Sequence, residues 1–301
     1  MKRIKCDNIE ILKKDYLNAF DGWCDKHQRQ WYALRYSNGL SFFPERLQDI
    51  LIAKPSDLAE WYYKYVTISL DNEILREINR IFRYKGQNRS TIAEFFMNHS
   101  TTLGISTCHY CESAYVNAYR IGNRQLNHFD IDHFLPKSMC PIISLSLFNL
   151  VPSCPVCNER LKRELILGDK EEETSTLNPW TEGYDFDNKV EIIIIPLEAY
   201  HSLRYQDNPE KFEIVFKSIS EIYQKEIKMF KLEERYGFHK CEALRLLDLM
   251  QDYPESHINM ICELLGRTPK KVFEDIFSKQ FVLENKRMFS KLHQDIIKTY
   301  K

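Results

Sequence analysis

The sequence predicts an α+β protein: a small strand, loop, strand and helix module embedded in a mainly α-helical scaffold. Three observations carry this. Residues 1 to about 103, and those from 217 onward, place apolar side chains at helical spacing. Residues 104–165 change to closely spaced Cys, His, Asp, Asn and Pro, with an alternating strand signal at 127–135. Between these and the later helices, "VEIIIIPL" at 190–197 reads as a buried strand, broken by Pro196.

The helices come first. Ile74, Leu75, Ile78, Ile81 and Phe82 fall on one helix face. "SNG" at 37–39 and "KGQNRS" at 85–90 read as turns, with Ser90 or Thr91 expected to cap the helix "TIAEFFMNH". Residues 176–197 read as loop and strand, and "SEIYQKEIKMFKLEERYGFHKCEALRLLDLM" as strongly periodic helix whose heptad order is too short-lived for a coiled coil. The expected regions are therefore 1–103, 104–165 and 166–301.

A chain of 301 residues, 44% hydrophobic and 28% charged, has ordinary globular composition and enough length for a sizeable core, which excludes widespread disorder. No run approaches the ~18 to 20 apolar residues of a membrane helix. The stretch "MKRIKCDNIEILKK" has no apolar signal region, so the expectation is a cytoplasmic protein with no membrane contact. Net charge is -1, so no global field draws the chain to nucleic acid and such a ligand would need local basic patches. Candidates are "RQWYALRY" at 29–36, "LREINRIFRYKGQNR" at 75–89 and "NERLKRE" at 158–164.

Of nine cysteines, four form two Cys-x-x-Cys pairs, Cys108 with Cys111 and Cys154 with Cys157. In a reducing compartment this is the inventory of a structural Zn2+ site, each pair gripping one side of a tetrahedral ion. The 42 intervening residues would form a loop closed by the metal. Such a site has no open coordination position, so it stabilises and does not catalyse. Cys140 and His109 are substitute ligands; Cys6, Cys24, Cys241 and Cys262 read as packing residues.

Inside the loop lies "FDIDHFLP". Strand alternation puts His128, Asp130 and Asp132 on one face and Phe129, Ile131 and His133 on the other. A second strand, "NLVPSC" at 149–154, precedes a helix beginning in "CPVCNERLKREL", with Pro155 at its first position. "CHYC", "DIDHFLP", "FNLVP" and "CPVCNERLK", in this order and approximate spacing, resemble the HNH nuclease motif of the ββα-metal superfamily in its four-cysteine version. The resemblance covers residues 104–165, about a fifth of the chain.

The resemblance implies a ββα-metal core and roles for individual residues. His133 would be the general base acting on water, with Asp132 and Asn158 as ligands of one catalytic Mg2+ or Mn2+. Asn149 would brace the hairpin and help orient the histidine, Lys162 or Arg160 would approach a phosphate, and Asp130 would orient the histidine or ligate weakly. The chemistry agrees: phosphodiester hydrolysis needs an activated water and a cation to stabilise charge on phosphorus and the leaving oxygen. Imidazole accepts a proton near neutral pH, and a helix N-terminus beneath favours the anion. Alternation aims Asp132 and His133 apart, so a strong twist near Pro136 is required for both to address one phosphate.

"LNPWTEGYDFDNKVEIIIIP", "FKLEERYGFHKCEALRLL" and "FSKLHQDI" are more loosely similar to stretches of larger bacterial HNH proteins of antiphage defence, including the nuclease subunit of Septu systems and of some retrons. This implies an ABC or SMC-like ATPase partner docking on the aromatic-rich helical flanks. Tyr236 and Arg235 are candidate nucleic-acid contacts; His239 and Cys241 share no helix face. The expected activity is metal-dependent cleavage of nucleic acid, DNA before RNA. Its alternatives are an RNA- or tRNA-cutting enzyme, a zinc-stapled binding module that does not cut, and a scaffold for an active partner. A staple needs only the cysteines, so the accompanying Asp132, His133 and Asn158 favour the enzyme.

Overall fold

The computed structural model describes residues 2–116, 118–122, 124–127, 129–198, 204–277 and 287–300. It is helix-rich with three two-stranded antiparallel sheets among the described residues, an α+β fold. The chain divides into two compact units, Lys2–Ile105 with Val116–Asp185, and Ser106–Tyr115 with Phe186–Lys301. The expected borders at 104 and 165 do not coincide with this division.

In the first unit, six helices precede the strands: α1 (Ile9–Ala19), α2 (Asp21–Ser37), α3 (Leu47–Leu51), α4 (Pro55–Tyr65), α5 (Asn72–Ile81) and α6 (Gln87–Asn98). Their starts follow local chemistry. Asn8 accepts from Ile11 N, Asp71 accepts from Glu73 and Ile74 N, and Pro55 takes the first position of α4, where no N–H is needed. Helix α6 starts earlier than expected. Gly86, at φ 56, supplies the left-handed turn, so Ser90 and Thr91 lie within the helix and neither caps it. Tyr16, Phe20, Trp31, Phe43, Phe82 and Phe96 are fully buried and fill the space between helices.

The strands of this unit are β1 (Ala118–Ile121) with β2 (Arg124–Asn127), a hairpin the sequence reading does not anticipate, and β3 (Asp130–His133) with β4 (Leu150–Ser153). In the β3–β4 pair, Asp132 faces Val151 and His133 faces Leu150. Residues 140–149 of the connection are buried, so their backbone polar groups need partners within the protein. The helical scaffold supplies several. Tyr16 Oη donates to Leu145 O at 2.7 Å, Ser146 Oγ to Ile50 O at 2.7 Å and Ser144 Oγ to Phe82 O at 2.6 Å. After β4 the chain makes a wide π-type helical turn over Val156–Lys162, closed by Arg163 N donating to Asn158 O. Beyond α7 (Glu171–Leu177), Asn178 Nδ2 donates to Phe148 O and Trp180 Nε1 to Leu150 O, fastening the strand from behind.

The second unit holds α8 (Phe186–Lys189) and a hairpin of β5 (Val190–Pro196) and β6 (Phe212–Ser218). Val190, Ile192, Ile194, Phe212, Ile214 and Phe216 are buried while Glu191, Glu213 and Lys217 are exposed, the alternation of a sheet with one covered face. The final helix Ser290–Tyr300 covers that hairpin, with Asp295 accepting from Ile192 N. The long periodic stretch is three helices, α9 (Glu221–Met229), α10 (Leu232–Phe238) and α11 (Lys240–Asp252), because Lys231 adopts φ 50 and His239 ends α10; α12 (Glu255–Leu265) and α13 (Pro269–Phe277) follow. Residues 106–115 join this unit through Tyr110 stacked on Phe230 at 4.4 Å, and through Tyr236 Oη donating to Cys111 O at 2.8 Å. Among the described residues no helix is long and apolar enough to cross a membrane.

Tyr16→Phe removes the hydroxyl that satisfies Leu145 O while keeping the ring. Urea unfolding should show a loss of about 1–3 kcal/mol, the cost of a buried carbonyl left unpaired. An unchanged midpoint would mean that the connection does not rely on the helices.

Candidate functional site

The site is built on β3 and the turn that follows β4. Asp130 and Asp132 are two apart in β3, and both meet the Val156–Lys162 turn, as alternation requires. Asp132 is 2% exposed and Lys162 is wholly buried. Lys162 Nζ lies 3.1 and 3.3 Å from the two carboxylate oxygens of Asp132 and donates to His133 O at 2.8 Å, so its three protons have three acceptors. One residue pair along, Asn158 Nδ2 donates to Asp130 Oδ2 at 3.2 Å. That contact uses the amide nitrogen and leaves Asn158 Oδ1 as the oxygen suited to a hard cation. The wide turn is what aims Asn158 and Lys162 at the same strand, and such turns recur at functional sites.

His133 points elsewhere. It is 5% exposed, and its Nε2 lies 2.9 Å from Ser144 O. A carbonyl only accepts, so Nε2 carries the proton and Nδ1 holds the lone pair. Burial holds the imidazole well below its usual pKa, with the Lys137 and Lys162 charges acting in the same direction and the Ser144 carbonyl against them, so the ring is neutral near pH 7. Tyr84 packs edge-on against it, ring centroids 4.4 Å apart. Burial pushes the Tyr84 phenol up to about 12, so it stays protonated. Asn149 fixes the frame around this ring. It is fully buried, accepts from Leu135 N at 2.7 Å, and donates to Leu135 O at 3.1 Å and Ile143 O at 3.2 Å. It thereby holds the segment whose Ser144 carbonyl meets His133.

A cleft of about 1280 Å3 opens beside these groups within the first unit. Asp130 and Asn158 line it, together with Tyr84, Arg83, Lys85, Arg89 and Lys137. The Lys137 ammonium sits 5.6 Å from the Tyr84 ring centroid, a cation–π arrangement. Sequence reasoning assigns no role to Tyr84 or Lys137. The basic run at 75–89 is the only signal for the former, and nothing in the sequence indicates that α5 and α6 deliver it to His133.

The expected thiol group is present. The sulfurs of Cys108, Cys111, Cys154 and Cys157 lie within 4.8 Å of one another, and all four residues are buried. A tetrahedral Zn2+ with bonds of about 2.3 Å would set the sulfurs about 3.8 Å apart. The donor set fits, and the cluster could hold a structural metal such as zinc. Neither Cys140 nor His109 belongs to the group. Cys140 is buried in the first unit, and its thiol is pushed above its usual range by that burial.

Several expected contacts fall elsewhere. Lys162 does not reach out to a phosphate, because the buried carboxylate of Asp132 needs its charge. Arg160 is exposed on the same turn. The turn spans seven residues, too short for the helix-terminus field expected beneath the site. Tyr236 is fully buried with its hydroxyl on Cys111 O, and the neighbouring Arg235 guanidinium contacts Ser113 Oγ and Phe230 O, so both are structural contacts and not a nucleic-acid surface. His128 lies outside the described residues. Comparison with protein-family models, curated proteins and solved structures finds no match.

Lys162→Met strands the Asp132 charge, which should cost about 3–5 kcal/mol in urea unfolding. Pairing it with Asp132→Leu should recover most of that loss. If the double variant is no better than the single one, the two side chains are not coupled.

Proposed function

We propose that this protein is a metal-dependent endonuclease of the HNH type, hydrolysing phosphodiester bonds in nucleic acid, DNA by preference. The observation that carries the reading is the meeting, at one basic cleft, of Asp130 and Asn158 on one side and of the Tyr84 ring that packs on His133 on the other. A binding module has no use for a neutral histidine whose tautomer is fixed by a carbonyl and whose ring is held by a tyrosine that lines the cleft.

In this reading Asp130, Asp132 and Asn158 are the oxygen donors available for one Mg2+ or Mn2+, which would supply charge neutralisation at the scissile phosphate. Asp130 and Asn158 already border the cleft, and Asp132 stands behind them with Lys162. His133 takes the proton of the attacking water at Nδ1, since Nε2 is committed to Ser144 O. Asn149 keeps that carbonyl in place, and Tyr84 limits the ring's rotation. The four thiolates would hold Zn2+ as a staple outside the reaction. An ABC or SMC-like ATPase belongs to the proposal as the partner that directs cutting in antiphage defence.

The test is cleavage of supercoiled plasmid, and in parallel of structured RNA, with Mg2+ or Mn2+, by the protein alone and with its neighbouring gene product. His133→Ala should lower the rate by about 10²-fold or more, the usual range of general-base loss, with unchanged circular dichroism. Equal cleavage by wild type and variant would sink the reading. Separately, metal analysis of the purified chain should find one zinc per molecule, lost in Cys157→Ser together with thermal stability. Zinc at full occupancy in that variant would show that the thiolates are not its ligands.

A further inference from the structure

The cleft has a wall that no part of the HNH-like motif supplies. It comes from the α5–α6 connection and the first turn of α6: Arg83, Lys85, Gly86, Arg89 and Ser90, with Lys137 entering from the segment after β3. Arg83, Lys85, Arg89 and Lys137 are exposed. None of the four cationic heads has an ion-pair or hydrogen-bond partner among the described residues, in contrast to Arg35, Arg80, Arg204 and Arg267, each set against a carboxylate. The acids on the same cleft, Glu94, Glu159 and Asp130, do not neutralise them by contact. Helix α6 adds a second observation. Gly86 offers no capping side chain, so the first N–H groups of a twelve-residue helix are left for another acceptor where Arg89 and Ser90 line the cleft.

We infer that the Arg83–Arg89 wall, with Lys137, is a phosphate clamp that binds the sugar–phosphate backbone on either side of the bond to be cut. This rests on the nuclease reading and deepens it. The cleft, at about 1280 Å3, exceeds the ~300–1,000 Å3 of a typical small-molecule site and suits a stretch of polymer. Unpaired guanidinium groups offer phosphate oxygens forked, bidentate donors at no cost of breaking an existing ion pair. Contacts of this kind fix the register of the duplex without reading its sequence. The clamp also explains how a chain of net charge -1 would hold DNA, through a local excess of exposed cations and not a global field. Tyr84, between Arg83 and Lys85 in sequence, would couple phosphate binding to the position of His133.

The experiment uses the full chain carrying His133→Ala, so that binding is read without cutting. Its affinity for a fluorescently labelled 30-mer DNA duplex is measured in Mg2+ over a series of KCl concentrations. Adding Arg83→Ala with Arg89→Ala should weaken binding about tenfold or more and reduce the slope of log K against log[salt] by about two, close to one for each phosphate that no longer meets a cation. Adding Lys137→Ala should lower it by about one further. Arg83→Lys with Arg89→Lys should retain most of the slope, and Lys14→Ala, an exposed cation of α1 that does not line the cleft, should leave affinity and slope unchanged. Tight binding with an unaltered slope in the Arg83 and Arg89 double variant overturns the clamp while leaving the nuclease reading intact. A parent chain that binds neither this duplex nor RNA, alongside a wild type that cuts neither, overturns both.

Discussion

A carboxylate and an ammonium, both removed from water, set the geometry of the first unit's site. Asp132 and Lys162 together are nearly inaccessible, and neither charge could remain there alone. Because Lys162 must reach both Asp132 oxygens and His133 O, the turn that carries it is held against β3. Asn158, one turn earlier, is thereby brought to Asp130 at the cleft edge. A buried pair of this kind contributes little net stability against an apolar pair of equal volume, so its value here is in register: a slip of one residue in β3 would strand both charges.

A second constraint acts on the other side of the strand. The connection between β3 and β4 is buried, which is unusual for a loop because every backbone group must find a partner inside. Asn149 satisfies several within the hairpin, and Tyr16, Ser144 and Ser146 link the rest to α1, α3 and the end of α5. Ser144 has a double part. Its hydroxyl fastens the connection to Phe82 O, and its carbonyl selects the tautomer of His133. The state of the imidazole thus depends on a helical scaffold remote in sequence.

This explains what was legible in the sequence. The four cysteines, the two strands and the order of Asp130, Asp132, His133, Asn149 and Asn158 are local patterns, and strand alternation correctly predicts that Asp130 and Asp132 meet the same element while His133 meets another. The partners are not local. Lys162 reads as a surface cation because its spacing from Asn158 carries no sign of burial, and only the folded turn shows that it neutralises Asp132. Tyr84 is one aromatic in a basic run until Ser144 draws the end of α5 against β3. Helix ends were similarly hidden: Gly86 at the start of α6 and Lys231 before α10 depend on positive φ, which periodicity does not report.

The two constraints together decide which groups are left to meet a ligand. Asp132 and Lys162 neutralise each other, His133 Nε2 is taken by a carbonyl, and Asn149 is consumed in bracing, so these four residues offer little to a ligand. What does reach the cleft is the carboxylates of Asp130, Glu159 and Glu94, the Asn158 amide and four exposed cations, three of the cations from outside the motif. The cations of this cleft outnumber its carboxylates by one, and they cluster on the α5–α6 wall. A neutral or cationic ligand would have to leave the wall's charges unanswered. A polyanion with a bridging divalent ion satisfies both sides at once, which is why the scaffold, and not the motif alone, determines what the site can hold.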